Sequence, residues 1–130
     1  LRGIIDRMDY LTDLGVSGIW LTPIHPSPTY HKYDVTDYYA IDREIGTLEE
    51  FEELITKAHS RGIRVIMDLV LHHTSRLHPW FIAATLDPQS PYRDYYIWAD
   101  SDTNLSAPGP KGMAPPRNWP LLWSFLGWYA

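Results

Sequence analysis

The sequence predicts an α/β fold. Two apolar runs bounded by glycine and proline read as buried strands: residues 16–24 ("VSGIWLTPI") and residues 63–71. An amphipathic stretch precedes each run. Helix, strand, helix, strand in that order, with both strands apolar throughout, is the pattern of parallel strands joined by a right-handed crossover.

Each element has a local reason. Leu1, Ile4, Ile5, Met8, Leu11 and Leu14 recur at helical spacing, and Gly15 stands where a helix stops. One helix is expected over residues 1–14, with no capping residue at its start. Residues 25–46 are rich in turn formers and aromatics and read as a long ordered loop, a type that is usually functional. Thr47-Leu48-Glu49-Glu50 is a capping box. It opens a helix whose apolar face is Phe51, Leu54, Ile55 and Ala58, and which ends at Gly62. Pro79 suits the first position of a short helix, "PWFIAATL". "YRDYYIW" has the composition of a strand, and residues 107–130 show no period. Two parallel strands do not close a sheet, and a complete β/α barrel takes about 250 residues. The chain is therefore expected to form a portion of such a barrel.

The totals exclude several classes. The 130 residues are 45% hydrophobic, which excludes wholesale disorder. A net charge of −5 disfavours nucleic acid and anionic membrane as partners. No apolar run approaches the roughly 20 residues of a membrane span. The absence of cysteine excludes disulfides and thiolate chemistry but leaves the compartment open. Neither the Asn104-Leu105-Ser106 sequon nor "GPKG" at Gly109 is specific enough to assign anything.

In α/β folds functional groups gather at the C-terminal ends of strands. Asp68 to His73 lie at one such end, and the loop after Ile24 leaves from the other. Tyr33, Asp34, Asp68 and His73 are expected to line one pocket. Its mixture of aromatic faces, carboxylates and imidazole suits a sugar. Each group also has a structural reading. Asp68 would need a partner for either role, and an Arg on a strand after Ala130 would leave it unpaired here. Alternation from Asp68 selects His72 rather than His73, unless the chain leaves strand geometry. Two of Tyr30, Tyr33, Tyr38 and Tyr39 are expected merely to pack the loop. Trp119, Trp123 and Trp128 suit packing better than stacking on sugar. His72, His73 and His78 lack the spacing of a zinc site.

Together these segments resemble the catalytic barrel of the α-amylase superfamily of glycoside hydrolases, in its α-glucosidase, oligo-1,6-glucosidase and trehalose-synthase-like branch. "DYLTDLGVSGIWLTPIHPSP" is similar to the first barrel helix and second strand. "HKYDVTDYYAIDREIGTLEEFEELITKAHSRGIRVIMDLVLHHTSRLHPWF" is similar to the following loop, helix, third strand and the start of an inserted B domain. "YRDYYIWAD" and "PPRNW" also match. The resemblance implies a partial (β/α)8 TIM barrel over residues 1–74, namely the second and third strands with their helices. It places the start of the inserted B domain and an irregular Pro- and Trp-rich tail in residues 75–130. It implies retaining cleavage of α-glucosidic bonds in malto- or isomalto-oligosaccharides, using two carboxylates about 5 Å apart. Tyr33 would stack on the sugar and Asp34 would bind its terminal hydroxyls. Asp68 and His73 would hold the sugar and the catalytic apparatus.

The family's nucleophile, acid/base and third carboxylate follow later strands. Asp34 and Asp68 do not replace them, so no catalytic residue is assigned here and the isolated chain is expected to be inactive. His72 stands where the family usually has an asparagine that helps bind calcium, so no metal is expected there. The family's other calcium loop would lie before Leu1, and no cofactor is expected in this chain. The expected partner is an α-glucan oligosaccharide or disaccharide, with hydrolysis and transglycosylation both open. The competing function is a non-catalytic, amylase-like interaction protein of the transporter heavy-subunit type. A metal-dependent hydrolase would rest on the histidines alone.

Overall fold

A computed structural model describes residues 1–99 and the backbone of residues 128–129. The chain divides into two compact units, Leu1–His78 and Pro79–Ala130.

The first unit opens with α1 (Arg2–Asp6) and α2 (Met8–Asp13). The single helix expected over residues 1–14 is interrupted at Arg7, whose φ of −102° and ψ of 13° leave helical geometry. The Arg7 N–H reaches back only to the Ile4 carbonyl, 3.2 Å away. The apolar stripe survives the break: Ile5 and Met8 are both buried in the core. Gly15 ends α2 as expected, at a φ of 77° that favours glycine.

Strand β1 (Gly18–Leu21) pairs in parallel with β2 (Arg64–Met67), in the register Gly18 to Arg64 and Leu21 to Met67. Helix α3 (Leu48–His59) makes the crossover between them. Its capping box is complete: the Glu50 N–H donates to Thr47 Oγ1 at 3.2 Å, and the Thr47 N–H donates to Glu50 Oε2 at 3.2 Å. Leu54 and Ala58 of α3 bury against Ile5, Met8, Leu21, Ile24 and Ile63 to form the core. Arg2 adds ion pairs to Glu50 and Glu53 along the same seam, at 3.1 and 2.8 Å.

The strands are shorter and less buried than their composition suggests. Each ladder strand has four residues. The Asp68 N–H makes one further bond to the Leu21 carbonyl, at 2.9 Å, and then the paths part. Trp20 and Ile66, paired in register, are 69% and 52% exposed, because only one face of this sheet is covered by the helices.

The second unit contains α4 (Pro79–Leu86), which starts on Pro79 as expected. "YRDYYIW" is not a strand over most of its length. It forms a 3-10 turn (Arg93–Tyr95), and only Trp98 enters the two-residue β3 (Trp98–Ala99). Local polar contacts override the strand composition. The Tyr92 N–H donates to Ser90 Oγ at 3.3 Å, and Arg93 reaches the Ala84 carbonyl at 2.8 Å while its guanidinium lies 3.4 Å over the Trp98 ring. Strand β3 pairs antiparallel with β4 (Trp128–Tyr129). Asn104, the Gly109 segment, "PPRNW", Trp119 and Trp123 lie outside the described residues.

Candidate functional site

Two loops leave the C-terminal ends of β1 and β2. The first, residues 25–46, has little repetitive structure but is ordered by its own bonds. Thr36 donates its N–H to the Pro26 carbonyl at 2.8 Å, and the Asp42 N–H donates to the Ile24 carbonyl at 2.8 Å. His25 donates Nδ1–H to the Ala40 carbonyl at 2.9 Å. Lys32, at a left-handed φ of 61°, turns its ammonium inward. That ammonium donates to Asp42 Oδ2 and Glu44 Oε2, both at 2.8 Å. Lys32 and Asp42 are both buried. The hydrogen bonds to Asp42 and Glu44 raise the Lys32 pKa. Burial pushes the Asp42 carboxyl up, but the bonds from Lys32 and the Glu44 N–H outweigh it and leave the pKa lowered.

The second loop, residues 68–78, is short and depends on the first. Tyr38 Oη donates to the carbonyls of Val70 and His73, at 2.6 and 2.9 Å. The Ser75 N–H donates to the carbonyl of Val35, a fully buried residue, at 2.8 Å. The Tyr38 ring lies between two buried histidines, 5.8 Å from the His25 ring and 5.6 Å from the His78 ring. Burial lowers the His78 pKa, against the opposing pull of Asp37.

Between the loops, Tyr33 Oη donates to Asp68 Oδ2 at 2.7 Å. The same bond, then burial, raises the Tyr33 phenol pKa, so the hydroxyl stays protonated at neutral pH and continues to donate. His73 donates Nε2–H to the Tyr33 carbonyl at 2.9 Å. Its Nδ1 then accepts from His72 Nε2–H at 2.9 Å.

Three of the four expected site residues are thus directly joined: Tyr33, Asp68 and His73. Asp34 follows Tyr33 in the chain, and its half-buried carboxylate makes no hydrogen bond among the described residues. His73, not His72, reaches Tyr33, because the chain leaves strand geometry at Asp68 and the alternation stops there. Asp68 has the Tyr33 hydroxyl as a neutral hydrogen-bond partner. A cavity of about 670 Å³ lies along the first loop, against Ser27, Tyr30, Lys32, Asp42, Arg43 and Glu44, and none of the four expected site residues lines it. The Lys32 network was not foreseen. Its one sequence trace is a lysine followed by four acids in the same loop, of which it binds the last two, Asp42 and Glu44.

The profile of the alpha-amylase catalytic domain matches residues 1–129. The chain belongs to the alpha-amylase family. Alpha-amylase 3 of Dictyoglomus thermophilum is 48% identical over 128 residues, covering 95% of this chain and 25% of that protein. Trehalose-6-phosphate hydrolase of Bacillus subtilis is 50% identical over 129 residues, 98% of this chain and 22% of that protein. Among solved structures, an alpha-amylase from H. orenii superposes with a TM-score of 0.78 at 48% identity, covering 98% of this chain and 27% of that one. The chain therefore spans about a quarter of the length of these alpha-amylase relatives. Its structural neighbours are TIM-barrel enzymes of the family. Among the described residues no helix is long and apolar enough to cross a membrane.

Proposed function

We propose that this chain supplies the second and third barrel strands, their crossover helix and the start of the inserted B domain of a retaining enzyme acting on α-glucosides. Within it, Tyr33, Asp34, Asp68 and His73 hold the glucose unit beside the bond to be broken. One observation supports this above the rest. The Tyr33–Asp68 bond and the His73–Tyr33 bond join the two strand-end loops in a chain of the alpha-amylase family.

The chemistry follows from the geometry. Tyr33 as a residue is 41% exposed, so its ring can stack on the C–H groups of a pyranose. Tyr33 occupies Asp68 Oδ2 and leaves Oδ1 for a sugar hydroxyl. Both His73 ring nitrogens are engaged, so a sugar hydroxyl reaches Nε2 by displacing the Tyr33 carbonyl. These groups position sugar and do not attack it, so the 130-residue chain alone hydrolyses nothing. The substrate is a malto- or isomalto-oligosaccharide or an α-linked disaccharide. No metal or cofactor is assigned to these residues.

The test is a titration of the chain with maltose, and with cellobiose as the β-linked control, read by heteronuclear NMR. Maltose should move the Tyr33, Asp68 and His73 resonances, cellobiose should do so less, and no glucose should be released. Shifts confined to other surfaces would overturn the assignment. Glucose release by the pure chain would overturn the division between holding and cutting.

A further inference from the structure

We propose that Lys32 is a positioning residue: its ammonium, gripped by Asp42 and Glu44 inside the first loop, fixes the left-handed turn that delivers Tyr33 to Asp68. The inference deepens the reading of Tyr33 and Asp68 as sugar-holding groups and rests on it.

A lysine is an unexpected occupant of this position. It is a non-glycine residue at positive φ, the conformation in which a side chain is least at ease. Its neighbours must therefore hold it there. The holding contacts are specific. The ammonium donates to Asp42 Oδ2 and Glu44 Oε2 at 2.8 Å each. Asp42 is in turn fixed from three directions: its Oδ1 accepts the Glu44 N–H at 2.8 Å, its Oδ2 lies 3.4 Å from the Ser27 N–H, and its own N–H is bonded to Ile24. The network thus ties the entrance, middle and exit of the loop to one buried cation. Tyr33 is the next residue in the chain. The left-handed bend at Lys32 reverses the backbone there, and Tyr33 Oη lands 2.7 Å from Asp68, 35 residues away. Lysine is suited to the task. Its long stem allows the head to reach inward while the backbone turns, and its three donors serve two carboxylates at once.

The test separates the ammonium from the backbone. Lys32→Gly keeps the positive φ available and removes the charge. The readout is the NOE between the Tyr33 ring and the Asp68 β protons in the full 130-residue chain at neutral pH. The NOEs of the paired Trp20 and Ile66 backbones report that the fold is retained. The expected result is loss of the Tyr33–Asp68 cross-peak with the β1–β2 cross-peaks intact, whereas general destabilisation would lower the melting temperature and leave the cross-peak in the folded population. A Tyr33–Asp68 cross-peak that persists in folded Lys32→Gly overturns the proposal. Should Lys32→Gly fail to fold, the Asp42→Asn, Glu44→Gln double variant carries the same test with the same two readings. Maltose distinguishes this inference from the one beneath it. If removing the ammonium abolishes the NOE but maltose never perturbs Tyr33 in the unaltered chain, the clamp stands and the sugar assignment falls. If maltose perturbs Tyr33 but the NOE survives the substitution, the reverse holds.

Discussion

The two strand-end loops solve the same problem in opposite ways. The loop after β1 is long and carries its own internal scaffold: an ion cluster at Lys32, Asp42 and Glu44, and backbone bonds between its entrance and exit. The loop after β2 is short, and beside a few bonds between near neighbours its long-range anchors run outward. Val70, His73 and Ser75 are all held by groups from the first loop. The first loop is a brace and the second is braced. A segment can therefore present functional side chains in a fixed geometry without any regular structure of its own, provided a neighbour supplies the bonds.

The most damaging way to test this asymmetry is to cut the brace where it meets its load. Tyr38→Phe removes the hydroxyl that serves both carbonyls and leaves two acceptors without it. A loss of about 1–3 kcal/mol in urea unfolding is expected. Amide exchange should quicken at Leu71 to Thr74 far more than at Lys32 to Thr36. Equal acceleration in both loops would show that neither supports the other.

Acid should act next, and more on the braced side. The folded His78 pKa lies below its ordinary value near 6.5. A group with a depressed pKa contributes stability that is present above its unfolded value and is lost as pH falls toward the folded one. The melting temperature should therefore decline on going below about pH 6.5. Only near pH 4 and below should Asp42, also depressed, loosen the first loop. A His78→Gln variant should flatten the upper part of that profile. An unchanged slope between pH 6.5 and 5 would remove His78 from the account.

The smallest effect on stability is expected from Tyr33→Phe, because the bond it deletes lies at the surface. Unfolding should change by about 0.5 kcal/mol or less, typical of surface substitutions, while the maltose-induced shift at Asp68 should vanish. A large stability loss with maltose response intact would make Tyr33 part of the brace and not of the site.

Much of this architecture was legible, and the reason is locality. The capping box at Thr47, the stop at Gly15 and the proline start of α4 are each decided by a few adjacent residues. The parallel crossover followed from two apolar runs with a helix between them. What escaped was decided across distance. The apolar runs around β1 and β2 looked longer and drier than the strands are, because ladder length depends on where the partner turns away. Trp20 and Ile66 face out although they lie within the ladder, because the helices cover the other face of the sheet. "YRDYYIW" has strand composition, yet Ser90 and the Arg93–Trp98 contact choose a turn. At the site, the grouping of Tyr33, Asp68 and His73 could be anticipated from strand ends. The choice of His73 over His72 could not come from alternation, which requires a strand to continue. Lys32 was invisible because a charged loop residue reads as solvated, and nothing in its chemistry advertises a left-handed backbone.

The separation of bond partners along the chain has a consequence for how the molecule forms. The Lys32–Asp42 bond closes a span of 10 residues, and the Tyr33–Asp68 bond closes a span of 35. By polymer statistics the longer closure costs about 1 kcal/mol more in lost chain entropy. The hairpin-like knot around Lys32 can accordingly assemble early, on nearest-neighbour terms, and wait. The crossover then has only to bring β2 alongside β1 for Asp68 to meet a hydroxyl already in place.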